Sequence, residues 1–291
     1  MRCLRKLLRL AGSLLLLAFT TCQPTQRSTR FIAENQPANP SKKAGQNWQC
    51  QRVIWRAYNT NYYDYEIDTN HRLTRCTAYE KESRGVYDSF VQTLSYTPAG
   101  QLDQVRHTDG YSRYRYRKGR LASIEFVQGA ELVYRYEVTV SETGQIVGLS
   151  GKPLNDSGLA AFSTRYKLDN QGRYVELETR TASGELYYRV VQRDFATAVR
   201  GAYDQFRLIP YDVNMHPWTY WGEQFPMTRE LAGQVDVYRY AAPETPTTLI
   251  KRSATRFTYQ TNQDGYATAR WSHETLMQGR DTVSIEYQNC H

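Results

Sequence analysis

The stretch GYSRYRYRKGRLASIEF, residues Gly110–Phe126, decides how the rest of the chain is interpreted. Neighbouring side chains of a β-strand point to opposite faces, so Tyr114 and Tyr116 share one face of a predicted strand. The opposite face carries three basic residues, Arg113, Arg115 and Arg117. Gly119 supplies the positive φ that a tight turn needs, and a second strand with apolar residues on one side follows it. The stretch therefore predicts a β-hairpin.

The same order of aromatic strand, polar turn and apolar strand recurs along the chain. The turns are predicted at His71, Gly100, Gly119, Gly144, Gly172 and Gly265. Repeated hairpins in a chain with 24 Tyr favour an all-β fold, because Tyr suits a pleated, half-buried surface. We predict one large antiparallel β-meander, either a curled sheet or a half-open barrel.

A Tyr-x-Tyr pattern with one Arg between returns at Tyr134–Tyr136 and Tyr238–Tyr240. A pattern that recurs at hairpin positions indicates a structural role in the strands. An arm that stacks on nucleic acid would instead form a single cluster of aromatic and basic residues. We therefore predict no nucleic-acid partner. The arginine face is still suited to acidic sugars or phosphates, because rows of Arg across strands are costly unless they are solvated or paired.

Residues 1–21 have the features of a secretory signal peptide, with a basic opening and an apolar run too short to span a bilayer. Cys22 follows this run directly. We predict a lipoprotein signal peptide, lipidation at Cys22 and attachment to a membrane through that anchor. The predicted location is the bacterial cell envelope, as an outer-membrane lipoprotein on its periplasmic or outer surface. The alternative is a secreted protein cut near Thr20 or Thr21.

Residues 22–47 are polar and rich in Pro, Asn, Ser and Lys, which predicts a disordered tether. A single β-meander domain is predicted over residues 48–291. Removal of the signal peptide takes away four basic residues, so the formal net charge falls from +8 to +4. This mildly basic balance gives only weak support for a polyanionic partner.

Three cysteines remain once Cys3 has left with the signal peptide and Cys22 has been lipidated. They are Cys50, Cys76 and Cys290. An exported compartment permits disulfides, and an odd number of cysteines allows at most one pair. A sheet that curls back favours a bridge between Cys50 and Cys290, and a different pair or no bridge is the alternative. No Cys or His spacing is typical of zinc, so we predict neither a metal nor a cofactor.

The segment near 207–234 interrupts the hairpin rhythm with three prolines, which disrupt sheet pairing. It also concentrates four aromatic side chains, Trp218, Tyr220, Trp221 and Phe225. These rings are predicted either to cover an open end of the sheet or to form a binding loop. In the second case all four are candidate ligand-binding residues.

No GxSxG, HExxH or P-loop motif occurs, so no catalytic residue is predicted. Asp212, His216 and Glu223 have a spacing that fits no standard metal site. Glu176 and Glu178 share one face of a predicted strand, and a solvated sheet face explains them more simply than a glycosidase carboxylate pair does. The sequence favours binding over catalysis.

The features of this chain follow a fixed order. The signal peptide with Cys22 and the polar tether come first, and hairpins with the turn sequences KGRLASI and NQGRYVEL follow. The aromatic segment that interrupts the hairpins comes next, and then DGYATA before the last strand, VSIEYQNC. From roughly Cys50 to His291 this order resembles envelope lipoproteins of Bacteroidetes with degenerate YD-type (RHS-like) repeats. The resemblance implies a large antiparallel sheet in the cell envelope, and it brings no assigned activity and no catalytic residues. Tyr-Asp pairs such as Tyr63–Asp64 are mostly out of phase with the turns, so the toxin-enclosing shell of true RHS proteins is not implied.

Two classes of function fit this sequence. The first is a binding or scaffold module for a glycan, a peptide or a protein partner. The second is a half-barrel carrier of a lipid or small ligand, or a hydrolase. An aliphatic hollow would favour a lipid, whereas a wet lining of Tyr, Trp and Arg would favour a glycan or a protein. The sequence predicts no particular oligomeric state.

Overall fold

The computed structural model describes residues 49–57, 61–81, 87–154, 160–201, 231–240, 249–276 and 280–290. Every regular element in these ranges is a β-strand. The sixteen strands are β1 (Cys50–Ala57), β2 (Asn61–Ile67), β3 (Leu73–Lys81), β4 (Tyr87–Tyr96), β5 (Leu102–Arg106), β6 (Gly110–Arg117), β7 (Arg120–Gln128), β8 (Glu131–Val140), β9 (Ile146–Pro153), β10 (Phe162–Leu168), β11 (Tyr174–Thr181), β12 (Leu186–Arg193), β13 (Gln234–Tyr240), β14 (Leu249–Thr261), β15 (Ala267–Glu274) and β16 (Arg280–Cys290).

Each strand pairs antiparallel with its neighbours in sequence, and β1 pairs with β16, so the strands form a closed barrel. The predicted all-β antiparallel meander is confirmed. The predicted curled sheet or half-open barrel is wrong in one respect, because β1 and β16 are in register from Cys50 opposite Cys290 to Ala57 opposite Val283. Closure pairs the backbone groups that two edge strands would otherwise leave exposed.

This up-and-down order gives the barrel two ends. We call the lower end the one that carries the β2–β3, β4–β5, β10–β11 and β14–β15 turns. The chain also enters β1 at this end. The upper end carries the β7–β8, β9–β10, β11–β12 and β15–β16 connections.

The turns at the lower end have the conformation that the sequence predicts. Positive φ is found at His71 (59°), Gly100 (79°), Gly119 (75°), Gly144 (85°), Gly172 (78°) and Gly265 (85°). In the β10–β11 turn, the Gly172 N–H donates to the carbonyl of Asp169 at 3.1 Å. The Asp169 carboxylate accepts from the backbone N–H groups of Gln171 and Arg173, both at 2.9 Å. Such turn chemistry fixes the register of each hairpin.

One face of the sheet is lined by Tyr, Leu, Ile and Val and points into the barrel, where these side chains form one buried cluster. Residues just after the lower turns are part of it: Leu73, Leu102, Leu121, Ile146, Tyr174 and Ala267. Several tyrosine hydroxyls at this end donate hydrogen bonds to backbone carbonyls of the adjacent strand. The bonds run from Tyr96 to Leu73 (2.7 Å), from Tyr116 to Leu102 (3.0 Å) and from Tyr287 to Ala267 (2.9 Å). Tyr is suited to this position because its ring packs in the core while its hydroxyl finds a partner.

The outer face carries most of the charge. On β6 the predicted division is confirmed, because Tyr114 is buried and Arg115 is exposed. On β13 Tyr and Arg again lie on opposite faces, but there the tyrosine is on the outer face. Tyr238 is paired with Arg189 on the outer face, and the Arg239 guanidinium lies 5.0 Å from the centre of the buried Tyr188 ring. The partly buried valines of β13 take the inward positions, so strict alternation puts the tyrosine outside.

Of the irregular segment predicted near 207–234, only 231–234 lie within the described residues. Its flanks meet at the lower end. The Ala196 N–H donates to the carbonyl of Leu231 at 2.9 Å, and Arg200 forms a bridge with Tyr266 beside the β14–β15 turn.

Candidate functional site

A pocket of about 660 Å³ opens at the upper end of the barrel, beside the start of β10 and the β11–β12 turn. We call it the mouth pocket. Its described lining consists of Ala160–Phe162, Thr179–Ser183 and Tyr187, which are mainly small or aromatic side chains. The volume lies within the range of roughly 300–1,000 Å³ that is usual for small-molecule sites.

The first wall of the mouth pocket, Ala160–Phe162, is held in place by Tyr134 on β8. The Tyr134 hydroxyl crosses β9 and donates to the carbonyl of Ala160 at 2.8 Å. At the crossing β9 has Gly151, where a Cβ would lie 2.6 Å from the Tyr134 hydroxyl oxygen and 2.8 Å from Cε1 of Phe162. Gly151 therefore leaves room for both rings. Burial raises the pKa of Tyr134, so its hydroxyl remains a donor.

The second wall uses its polar atoms in bonds within the protein. The buried hydroxyls of Thr164 and Thr179 lie 3.0 Å apart on neighbouring strands. In the turn, the Thr181 and Ser183 hydroxyls lie 2.8 Å apart, and the Thr181 hydroxyl accepts from the Glu185 N–H at 3.2 Å. Since these groups already have partners, an apolar ligand would not leave them without a hydrogen bond.

Tyr187 reaches the pocket because of a β-bulge. Thr179 pairs with Tyr188, but the next residue, Arg180, pairs with Leu186. Tyr187 is thus the extra residue in β12, and bulges commonly redirect a side chain at the rim of a barrel. Its ring centre lies 6.4 Å from that of Tyr188.

Arg180 brings one positive charge to the edge of this apolar lining. One of its guanidinium nitrogens donates to the carbonyl of Gly184 at 3.0 Å, and another lies 3.8 Å from the Glu178 carboxylate. The side chain is 41% exposed, which leaves donor groups accessible to solvent. The arrangement is suited to a ligand that is mainly apolar and has a polar group at one end.

Apolar exposure is concentrated at the same end of the barrel. Of the four large hydrophobic side chains that are exposed among the described residues, Phe90, Leu154 and Leu276 lie toward the upper end, and only Trp271 lies on the outer wall. At the lower end, by contrast, the described residues are polar turns and tyrosines whose hydroxyls bond to backbone carbonyls. The upper end is therefore the one suited to contact an apolar molecule.

A second cluster of chemical interest is buried in the barrel wall. His107 lies 3.0 Å from the Ser112 hydroxyl through Nε2 and 3.1 Å from the Gln92 side-chain amide through Nδ1. The Gln92 amide nitrogen donates to Nδ1, so Nε2 carries the proton and donates to the Ser112 hydroxyl, which is the reverse of the transfer that would activate a nucleophile. Ser112 is only 4% exposed, and the centres of the His107 and Phe126 rings lie 6.0 Å apart in an edge-to-face arrangement. The cluster is therefore a buried hydrogen-bond chain from Gln92 through His107 to Ser112.

The carboxylates considered for glycoside hydrolysis lie on the outer face and are paired. Arg189 lies between them, with nitrogens 2.7 Å from Glu176 and 3.8 Å from Glu178. A shared arginine of this kind is typical of a solvated sheet face. Within the described ranges, no three His, Cys, Asp or Glu side chains converge as metal ligands would.

The other candidates from the sequence have different positions. Cys50 and Cys290 are joined by a disulfide, and Cys76 lies buried on the inner face of β3. The remaining candidates lie outside the described residues. They are Cys22, Asp212, His216, Trp218, Tyr220, Trp221, Glu223 and Phe225. No helix in the described part of the chain has the length and hydropathy that a membrane crossing requires.

Sequence reasoning missed the mouth pocket. A local signal for one wall was present, because the small residues Ala160 and Ala161 precede Phe162 at the start of a strand. The role of Tyr187 depends on a bulge, and the role of Gly151 depends on a ring that reaches it from a neighbouring strand. Neither relation is visible in the order of the residues.

Comparisons with known proteins concern the fold. No protein-family model and no curated protein matches the chain, so the resemblance to YD-type lipoproteins stays a prediction. A porin-like protein from Bacteroides uniformis shares 13% identity at a TM-score of 0.52, over 82% of this chain and 96% of that one. A porin-like protein from Bacteroides vulgatus shares 12% identity at a TM-score of 0.49, over 83% and 99%. A TcdB2–TccC3–Cdc42 complex shares 12% identity at a TM-score of 0.23, over 79% of this chain and 12% of the other. The first of these likenesses shows that the chain is similar in fold to a porin-like protein.

Proposed function

We propose that this protein is an exported β-barrel, held in the cell envelope by a lipid anchor, that binds a small and mainly apolar ligand in the mouth pocket. The observation that carries the proposal is the combination of an apolar lining with a volume of about 660 Å³ at the upper end of the barrel. The ligand gains free energy by removing apolar surface from water, at about 25 cal/mol per Å².

The pocket suits such a ligand for two reasons. Its walls belong to strands and to a hydrogen-bonded turn, so little conformational entropy is lost when a ligand binds. Its hydroxyl groups are already hydrogen-bonded within the protein, so the ligand does not need to supply hydrogen-bond partners for them. Arg180 at the edge is the exception, and it favours a ligand with one polar or anionic end.

The proposed attachment to a membrane rests on the sequence of residues 1–22, and the charged outer wall is compatible with it. Exposed arginines such as Arg56, Arg75 and Arg115 stand on the outer face. A barrel that spans a bilayer presents an apolar band to lipid instead, because charged side chains at the midplane cost about 2–4 kcal/mol each. A lipid on Cys22 would hold the protein at a membrane while its wall stays in water.

One further feature supports export. The Cys50–Cys290 disulfide suits an oxidising compartment. Replacement of Cys22 by Ala should release the protein from the membrane fraction. A Cys22→Ala protein that still fractionates with membranes would contradict the anchor and leave the pocket proposal intact.

The pocket is tested with the dye 8-anilinonaphthalene-1-sulfonate, an apolar molecule with one anionic group. We expect its fluorescence to rise on binding to the purified protein and to reach saturation. The substitution Ala182→Trp places a bulky ring in the pocket lining and should abolish most of this signal. The matched control is Ala99→Trp, since Ala99 lies in a lower turn with similar backbone bonds and outside the pocket.

Equal dye binding by the two tryptophan variants would refute the mouth pocket as the ligand site. A complementary experiment identifies what the protein carries in the cell. Organic extraction of the native protein, followed by mass spectrometry, should yield a small apolar compound that is depleted from the Ala182→Trp protein.

A further inference from the structure

The outer face of β6–β9 carries an unusual concentration of positive charge. Arg113 and Arg115 on β6 and Arg135 on β8 surround Glu125 on β7, and Lys152 on β9 lies opposite Arg135. We call this group the basic wall. It lies on the outside of the barrel, whereas the mouth pocket is at the upper end, so nothing below depends on the proposed ligand.

Three guanidinium groups of the basic wall converge on one carboxylate. The nearest nitrogens of Arg135, Arg115 and Arg113 lie 2.9, 3.1 and 4.0 Å from the Glu125 oxygens. Partial burial tends to raise the pKa of Glu125, but the hydrogen bonds from Arg115 and Arg135 outweigh it and hold the pKa below its usual value. One negative charge is thus set against three positive charges.

The positive groups are the ones that face solvent. The Glu125 side chain is 13% exposed, whereas that of Arg115 is 51% exposed. Arg113 and Arg135 are each about one-third exposed. A molecule that approaches at Glu125 therefore meets guanidinium groups, while the Glu125 carboxylate lies beneath them and the exposed Glu137 lies beside the wall, two residues after Arg135 on β8.

Like charges also face one another across the strands here. Arg135 lies opposite Lys152, and Arg117 lies opposite Arg120. Other bases of the outer face lie opposite acids, as Arg113 and Arg135 do opposite Glu125: Arg52 opposite Glu66, Arg75 opposite Glu66, Arg165 opposite Glu178 and Lys167 opposite Glu176. Like charges in directly opposed positions are destabilising. These like-charged pairs are therefore not explained by the stability of the fold. An anionic ligand would explain them, because it would neutralise their charge.

The wall is organised before any ligand arrives. An Arg113 nitrogen donates to the Tyr111 hydroxyl at 2.7 Å, and its guanidinium lies 5.2 Å from the centre of the Tyr111 ring. Groups fixed in this way lose less entropy on binding. An aromatic ring beside guanidinium groups is also suited to sugars, because the ring can contact C–H bonds while the guanidinium groups bind charged substituents.

We infer that the basic wall binds a linear acidic glycan, whose carboxylate or sulfate groups accept hydrogen bonds from Arg113, Arg115 and Arg135. Neighbouring strands are about 4.8 Å apart, so the row from β6 to β9 spans roughly 14 Å. That distance is long enough for several sugar units in a chain. Lys152 stands at the far end of the row and would contact the next acidic group.

The test uses the intact protein with four immobilised probes. These are polygalacturonate, which supplies carboxylates, heparin, which supplies sulfates, neutral dextran, and single-stranded DNA of comparable charge. We expect binding to at least one acidic glycan, no binding to dextran and weaker binding to DNA. Which glycan binds more tightly distinguishes carboxylate from sulfate recognition.

Two triple variants separate a site from a general charge effect. The change Arg113→Gln, Arg115→Gln and Arg135→Gln should weaken glycan binding by at least about tenfold, since it removes three charge-assisted hydrogen bonds. The control removes three exposed arginines that lie near acids on other strands, through Arg56→Gln, Arg75→Gln and Arg165→Gln. It should change binding by less than about threefold, because surface charges at a distance are screened.

Three results would overturn the inference. They are no binding of either acidic glycan, an equal loss in both triple variants, and DNA binding as tight as glycan binding with the same dependence on the basic wall. If the first triple variant does not fold, as judged by circular dichroism, Arg115→Gln replaces it. That single change leaves two arginines on Glu125, and it should still weaken glycan binding several-fold.

Discussion

The ring of Tyr134 occupies the space that a side chain at Gly151 would need, since a Cβ there would lie 2.6 Å from the tyrosine hydroxyl oxygen. The same hydroxyl bonds to the carbonyl of Ala160, which forms part of the mouth pocket. A single glycine on β9 thereby connects packing inside the barrel to the shape of the pocket.

Gly151→Ala should damage both stability and ligand binding. The added methyl group meets two rings at less than 3 Å, and overpacking of this kind costs about 1–3 kcal/mol. Urea denaturation measures the loss, and titration with the anilinonaphthalene dye measures the pocket. Gly148→Ala on the same strand is the control, because a Cβ there has its nearest neighbour at 3.5 Å. Equal stability and equal dye binding of the two variants would contradict this account of Gly151.

The sequence predicts the hairpins well because a hairpin is a local structure. The positive φ at Gly172, the Asp169 bonds around it and the inward Tyr114 all depend on residues within a few positions of one another. Closure of the barrel depends instead on pairing between β1 and β16 at opposite ends of the domain. Repeated hairpins alone do not determine whether the last strand meets the first.

The mouth pocket and the orientation of β13 also could not be predicted from local sequence. Tyr187 lines the pocket because its strand has one residue more than its partner, and such a bulge has no distinct sequence pattern here. Tyr238 faces outward because the neighbouring valines pack in the core. Its local sequence, Tyr-Arg-Tyr, is nevertheless the same as that of Tyr134. In both cases packing against other strands overrides the local pattern.

Loss of the Cys50–Cys290 disulfide should lower the free energy of unfolding by about 2–5 kcal/mol. The bridge joins residues 240 positions apart, so it restricts nearly the whole unfolded domain. Urea denaturation of a Cys50→Ser, Cys290→Ser protein measures the effect. Adding a reductant should destabilise the parent protein to a similar extent and leave the double variant unchanged. A parent protein that is insensitive to reductant would contradict a stabilising role for the bridge.

Glu274 should make stability sensitive to acid. Burial tends to raise its pKa, but hydrogen bonds from Ser253, Thr255 and the N–H groups of Ala254 and Leu276 lower it to about 2, from 4.5 in the absence of these contacts. A lowered pKa stabilises the fold above pH 4.5, and this stabilisation is lost as the pH falls from there through about 2.

Glu274→Gln should therefore unfold at a lower urea concentration than the parent at pH 7, and the difference should narrow at pH 3. The matched control is Glu286→Gln, because that side chain is half exposed and 3.6 Å from Arg56. A difference between parent and Glu274→Gln that stays constant from pH 7 to pH 3 would argue against the charged network.

The inward tyrosines should make the barrel resistant to moderate alkali and sensitive to strong alkali. Burial raises the pKa of Tyr116, Tyr174 and Tyr259 to about 12, from 10.0 in the unfolded chain. A raised pKa stabilises the fold below pH 10, and this stabilisation is lost as the pH rises through about 12. Ultraviolet absorbance of tyrosinate, followed together with circular dichroism, should show these tyrosines ionising only as the strands unfold.

Tyr116→Phe removes the bond to the Leu102 carbonyl and should lower the free energy of unfolding by about 1 kcal/mol, whereas the control Tyr111→Phe on the outer face should lower it by less. Complete ionisation of the tyrosines while the strand signal persists would show that their hydroxyls do not seal the lower end.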